Sequence, residues 1–273
     1  MSEAERICVS FSGGRTSGYM LRWIQTTFPE ADLKVIFANT GQEDERTLQF
    51  VKAVSENWGI PIIWLETVIH PNERKGATFR LTDFEHAVRD ESLFEAMILK
   101  YGIPNKAYPR CSDKLKAEPI TSYLRSIGWT PHTYRHAIGI RADEMDRQSE
   151  KAKEKDIWYP LLKLGTRKAD VFSWWSKQPF DLDVPEHRGN CVWCWKKSLR
   201  KHLTLMKESP EVFDAPERLE RFSTVRKDRE PQQFFREKRT VADLRALAEK
   251  PFSAFTEKEL QMTFGCIESC EPF

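Results

Sequence analysis

The chain has 273 residues, 40% hydrophobic and 31% charged, and its 43 basic residues against 41 acidic ones give a formal net charge of +2. That is a globular composition with no apolar run near the roughly 18 to 20 residues that cross a bilayer, and its near-balanced charge does not by itself call for a nucleic-acid partner. Met1-Ser2-Glu3-Ala4-Glu5-Arg6 runs straight into a strand-like segment, so neither a secretion signal nor a membrane contact is expected, and the expected compartment is the cytoplasm.

Ile7 to Phe11 is short, apolar and β-prone. Gly13-Gly14 follow as a tight turn, and Ser17 to about Thr27 reads as a helix stopped by Pro29. Leu33 to Ala38 reads as a second strand. Leu48, Val51 and Val54 stripe a second helix that ends near Trp58-Gly59, and Ile62 to Leu65 form a third strand. Strands alternating with helices predict an α/β fold, a mostly parallel sheet flanked by helices with right-handed crossovers. From Glu66 to Pro109 the pattern fades apart from a helix over 91–101, and this stretch is expected to be an insertion covering the site. A helix opens near Cys111-Ser112-Asp113 and closes at Gly128, and Thr133 to Ile140 returns as a strand. A helix is expected near 168–177, then a loop bearing Cys191 and Cys194, then highly charged helix from 196 to about 250. The expected division is a nucleotide-binding domain over 1–195 and a helical C-terminal region with a cysteine-containing tail over 196–273.

Ser12-Gly13-Gly14-Arg15-Thr16-Ser17 lies between a strand and a helix, where backbone N–H groups and the helix N-terminus together attract an anion such as phosphate. The hydroxyls of Ser12, Thr16 and Ser17 add donors and Arg15 adds charge. Two other strand ends, Ala38-Asn39-Thr40-Gly41 and Gly139-Ile140-Arg141, fit the rule that ligands bind at the C-terminal edge of such a sheet. The spacing is not that of a Walker loop. Arg141 suits the charge that builds on phosphoryl oxygens during attack at phosphorus, and it suits equally a salt bridge to Asp143, Glu144 or Asp146.

Six cysteines in a chain expected in the cytoplasm point to metal or redox chemistry rather than a disulfide framework. Cys8 reads as a small buried hydrophobe. Cys191-Val192-Trp193-Cys194 is a C-x-x-C pair, open to an iron–sulfur cluster, a structural zinc or a dithiol couple, with Cys111, Cys266 and Cys270 as further ligands. The basic run Lys196-Lys197-Ser198-Leu199-Arg200-Lys201-His202 reads first as a solvated helix face, with a lean towards nucleic acid.

Four separated segments together resemble the phosphoadenosine phosphosulfate (PAPS) reductase-like branch of the PP-loop (N-type) ATP pyrophosphatase superfamily. They are Ser10 to Ser17 (the SGGxxS loop), Phe37 to Glu43, Cys111 to Pro119 (Cys-x-x-x-x-Lys-x-x-Pro) and Gly139 to Glu144 (Gly-x-Arg-x-x-Glu). Asn39 replaces the usual Asp of the second segment, and the ending Phe264 to Glu271 differs from the Glu-Cys-Gly-Leu-His tail of PAPS reductases. The resemblance covers about 7–195 and implies an adenine nucleotide alpha hydrolase-like, Rossmann-like fold. It implies that Ser12, Gly13, Gly14, Arg15, Thr16 and Ser17 bind the phosphates of ATP, or of adenylyl-sulfate or PAPS. It places Ala38, Asn39 and Thr40 along the adenosine, and Gly139 and Arg141 at the phosphate or leaving group. Arg141 and Arg15 are then the expected catalytic cations, with Mg²⁺ bridging the phosphates.

The resemblance also implies a [4Fe-4S] cluster on Cys111, Cys191, Cys194 and either Cys270 or Cys266, with zinc as the alternative metal. Ser112 stands where cluster-binding reductases carry a second adjacent cysteine. The expected activity is adenylylation of an acceptor, a nucleic acid or a small molecule, with pyrophosphate release and transfer of sulfur, aided by a sulfur-donor or reductant protein. The alternatives are a sulfonucleotide reductase releasing sulfite through a tail cysteine, and a non-catalytic nucleotide-binding redox sensor. No feature of the sequence fixes the oligomeric state.

Overall fold

The computed structural model describes residues 4–71, 74–224 and 233–256. Cys266 and Cys270 lie outside the described residues. In chain order the elements are β1 (Arg6–Ser10), α1 (Arg15–Thr27), β2 (Asp32–Ala38), α2 (Glu45–Trp58), β3 (Ile62–Val68), β4 (Thr78–Thr82) and α3 (Ser92–Tyr101). Then come α4 (Arg110–Ser112), a π-helical stretch Asp113–Ala117, α5 (Glu118–Ser126), β5 (Arg135–Ile138), β6 (Ile157–Trp158), α6 (Pro160–Lys163) and α7 (Lys168–Trp175). The C-terminal part holds α8 (Leu199–Glu208), α9 (Asp214–Glu220) and α10 (Val241–Ala248).

The six strands form one sheet in the order β4-β3-β2-β1-β5-β6, parallel except for β4 against β3. β1 is central, with Val9 facing Val35 on one side and Ala137 on the other. A central parallel strand is covered on both faces, so Ile7, Cys8 and Val9 are all fully buried and the strand reads as a continuous apolar run. One face packs Val9, Leu21, Ile24, Val51, Val54 and Trp175. The opposite face packs Cys8, Ile36 and Leu65 against Ile120 and Leu124 of α5. The chain reverses direction across the sheet between β1 and β5, and the loops after those two strands meet there.

Two strands escape the sequence reading. β4 is an edge strand whose Arg80 and Leu81 are exposed, and β6 is only two residues long. The insertion over 66–109 does not cover the cleft described below. It builds β4 and α3, and Phe94 of α3 packs on Trp193 with ring centroids 4.9 Å apart. That contact belongs to another core, in which Phe94, Met97 and Leu115 meet Trp193, Leu205, Phe213 and Leu244, so residues from both sides of position 195 share it.

Among the described residues the stretch from 196 to 250 carries three α-helices, separated by short 3-10 turns rather than joined in one. Ser198 caps α8 by accepting from Lys201 N, and Thr240 and Asp243 form a capping box on α10. The basic run is no solvated face: Lys197 and Lys201 are 1% exposed and His202 is 2% exposed.

Candidate functional site

The loop from Ser12 to Ser17 turns from β1 into α1. Gly13 has φ +74°, and a Cβ there would lie 2.7 Å from Thr47 Cγ2, so glycine is needed for the turn and for the approach of α2. Ser17 Oγ accepts from Ser12 N at 3.2 Å and donates to Gly14 O at 2.9 Å, tying the loop to the first turn of the helix. No side chain caps α1, and Gly14 stands at its N-cap. The first amides of a 13-residue helix therefore face the cleft with their partial positive charge. Gly139, at the end of β5, comes so close that a Cβ would stand 3.3 Å from Ser17 Cα. The two strand ends form a single site.

Arg141 lines this cleft with its side chain 13% exposed. Nη1 donates to Thr16 Oγ1 at 2.8 Å, Nε pairs with Asp143 at 3.0 Å, and Nη1 lies 3.3 Å from Glu144 Oε2. The salt bridges expected of Arg141 are present, and they hold its guanidinium against the Ser12 to Ser17 loop. Arg15 is committed differently. Its fork grips Asp181 (Nε to Oδ1 2.7 Å, Nη2 to Oδ2 3.0 Å) and its backbone carbonyl accepts from Trp175 Nε1 at 2.8 Å. It pins the segment after α7 onto the phosphate loop.

That segment is the second wall. Lys168, Phe172, Leu182, Val184, Glu186, Gly189 and Asn190 line the cleft opposite the loop, with Thr47 and Arg147 at its sides. Sequence reading missed these residues. Lys168 sits at a helix start and Glu186 in a short turn, and no spacing motif marks either.

Ala38, Asn39 and Thr40 are 8%, 0% and 1% exposed and are not among the residues that line this cleft. Asn39 Nδ2 donates to Glu66 Oε1 at 2.7 Å and to Val88 O at 2.9 Å, and Oδ1 accepts from Gly41 N. Glu66, 1% exposed, also accepts from Val88 N and Arg80. The departure from Asp has a physical reason here, since an aspartate would set a second buried carboxylate against Glu66.

The C-x-x-C loop docks on the turn after β2. Val192 N donates to Gln42 O at 2.8 Å, Thr40 Oγ1 lies 3.2 Å from Cys191 Sγ, and Thr40 also donates to Glu43. Burial pushes the Cys191 thiol pKa up. Lys116, of the Cys-x-x-x-x-Lys segment, lies among the same groups. Burial pulls its pKa down, but Cys191, Glu43, Cys111 and Cys194 together raise it. Lys197 holds the loop from below, its Nζ donating to His187 O at 2.7 Å, Cys191 O at 3.2 Å and Val192 O at 2.6 Å. His202 Nε2 donates to Cys194 O at 2.9 Å, and burial drives that imidazole down to about 3, keeping it neutral. Asn190 lines the cleft and Cys191 is the next residue, so the cysteine loop begins at the cleft wall. Among the described residues no group of three or more His, Cys, Asp or Glu is placed to hold a metal ion.

A central parallel sheet whose strand ends gather a glycine-rich loop, an uncapped helix N-terminus and an arginine defines a phosphate-binding α/β domain. A family model for the phosphoadenosine phosphosulfate reductase domain matches residues 6–164, and the chain belongs to that family, within the PP-loop ATP pyrophosphatase superfamily. Its members bind adenine nucleotides. The uncharacterized nin region protein ORF290 of Escherichia phage lambda is 38% identical over 198 residues, covering 71% of this chain and 67% of the phage protein. An uncharacterized protein of Methanocaldococcus jannaschii is 30% identical over 118 residues, and another is 27% identical over 172. Those alignments take in 43% and 62% of this chain, but only 19% and 35% of the archaeal proteins. The family match stops before Lys168, so the second wall lies beyond it. Among the described residues no helix is long and apolar enough to cross a membrane.

Proposed function

We propose that this chain binds ATP in the cleft, with Ser12 to Ser17 around the phosphates and Arg141 at the reacting phosphorus, and transfers the adenylyl group to an acceptor. A nucleophile on the acceptor bonds to the α-phosphorus, the bond to the bridging oxygen breaks, and pyrophosphate leaves; Mg²⁺ bound with the nucleotide would supply charge neutralisation on the phosphates. The carrying observation is the meeting of the two strand ends, which sets Arg141 against Thr16 beside the uncapped start of α1. Arg15 supports the reaction by holding the cleft's second wall rather than by reaching the ligand. The acceptor is a nucleic acid or a small molecule, and a sulfur donor or reductant protein completes the cycle.

A [4Fe-4S] cluster is the favoured occupant of the cysteine site, with zinc as the alternative. Cys111, Cys191 and Cys194 would hold it with Cys266 or Cys270. Two buried donors beside these cysteines in sequence, Arg110 Nε and Trp195 Nε1, have no hydrogen-bond acceptor among the described residues, and Lys116 adds charge, a donor set that fits an anionic group. When bound, such a cluster supplies electrons or an activated sulfur.

The test is pyrophosphate release from ATP with DNA, transfer RNA or small thiols as acceptor, on protein purified without oxygen and assayed for iron, sulfide and visible absorbance. Acceptor-dependent pyrophosphate is the expected result. The family's reductase name favours one other reading: sulfite formed from adenylyl-sulfate or PAPS, with a reductant and no ATP, would replace adenylylation by reduction. Tight nucleotide binding with neither product would make the protein a sensor, and a colourless protein with stoichiometric zinc would remove the cluster.

A further inference from the structure

The cleft is lined by four cations, Arg15, Arg141, Arg147 and Lys168, and by two carboxylates, Glu144 and Glu186. Glu144 is engaged by Arg141 and Arg147, and Arg15 by Asp181. The remaining pair faces the phosphate loop from the second wall. Lys168 is 7% exposed, with its ammonium on Glu186 and 5.5 Å from the centre of the Phe172 ring. Glu186 is shared, because its other oxygen lies 3.2 Å from Nζ of Lys201, a lysine only 1% exposed.

We propose that Lys168 is a phosphate-binding residue of the second wall and that Glu186 is its displaceable counter-ion, so that the cleft takes a ligand with at least two linked phosphate groups. The inference rests on the nucleotide reading above. A buried ammonium needs an anion beside it, and Glu186 supplies one for Lys168. An arriving phosphate takes over this role, while the partly exposed Glu186 stays paired with Lys201 and is not left without a cation. The carboxylate is then a competitor of the ligand. Lys168 and Glu186 lie beyond residues 6–164, the segment that matches the family.

The two members therefore have opposite effects, which a purely structural ion pair would not. Titration calorimetry of the full chain with ATP, inorganic pyrophosphate and AMP reads them directly. Lys168→Met is expected to weaken ATP and pyrophosphate binding at least about tenfold, with Lys168→Arg restoring most of it, while Glu186→Gln tightens binding about three- to tenfold. Thermal melting of each ligand-free variant separates a loss of affinity from a loss of fold. If the parent binds ATP and Lys168→Met leaves its affinity unchanged, or if Glu186→Gln weakens binding as much as Lys168→Met in folded protein, the counter-ion role is wrong and the nucleotide reading stands. If the parent binds none of the three probes, both fall together.

Discussion

Gly13 and Gly14 are neighbours with different constraints. At Gly13 both the positive φ and the wall of Thr47 exclude a side chain, whereas at Gly14 the nearest heavy atom to an added Cβ is Ser12 Oγ at 3.6 Å, and the rest of the space is cleft. Gly13→Ala is expected to lower stability by about 1–3 kcal/mol, and Gly14→Ala to leave the melting temperature unchanged while weakening ATP binding. Calorimetry paired with thermal melts checks both. Asn39 supplies a second contrast. Asn39→Asp puts a carboxylate against Glu66 inside the protein, so one of the two must take a proton. The folded state then binds a proton that the unfolded chain releases near neutral pH. The variant should lose about 3 kcal/mol at pH 8 and recover as the pH falls towards 5, in urea titrations at each pH. Sequence reading found Asn39 as a departure but not its partner, because Glu66 lies 27 residues away and only the pairing of β2 with β3 brings them together.

At the level of elements, the attachment of α7 to α1 makes the cleft. A Cβ on Gly18 would lie 2.7 Å from Trp175 Cζ2, and Trp175 is 1% exposed with its indole N–H on Arg15 O. Trp175→Ala is expected to cost about 3–5 kcal/mol and to weaken nucleotide binding as the second wall comes loose. Asp181→Ala removes only a partly exposed ion pair and should cost no more than about 1 kcal/mol. Denaturant midpoints of the two variants give the comparison. The βαβ order and the phosphate loop were legible because buried parallel strands are apolar runs and the loop's glycines are fixed by φ and contact. The second wall was not, since Lys168, Glu186 and Asn190 are brought to the loop by Trp175 and by the Arg15 to Asp181 clamp, neither of which has a sequence period. Nor was the inward turn of Lys197 and Lys201, whose charges are met by carbonyls and by Glu186 rather than by water.

For the whole molecule, two groups on different cores set opposing pH trends. Burial pushes the His136 imidazole down to about 4, where Nε2 meets Ser10 Oγ at 2.6 Å, so its contribution is complete above the ordinary value of 6.5 and lost as pH falls towards 4. Burial pushes the Glu220 carboxyl up to about 7 although Val241 N donates to it, with Glu217 and Asp243 adding repulsion. The folded state here favours the protonated acid, so stability declines as pH rises from 4.5 through 7. Between about 4.5 and 6.5 Glu220 offsets only part of the histidine trend, because the buried His202, pushed down to about 3, adds a second loss on acidification, so the parent's stability should still fall gently as the pH drops through that window. Glu220→Gln should match the parent at pH 4.5, exceed it at pH 8, and show a steeper acid limb in denaturant titrations.

Lys197 gathers three carbonyls at the Cys191 to Cys194 turn, so the backbone of that turn has a support that does not run through its sulfurs. A loop already shaped by a lysine does not wait for a metal to fold it, in contrast to small zinc domains that exist only when loaded. Ligand-free protein should therefore survive chelators as a folded species, and loading should proceed as simple capture by a prepared receptor, with little change in heat capacity or far-UV dichroism.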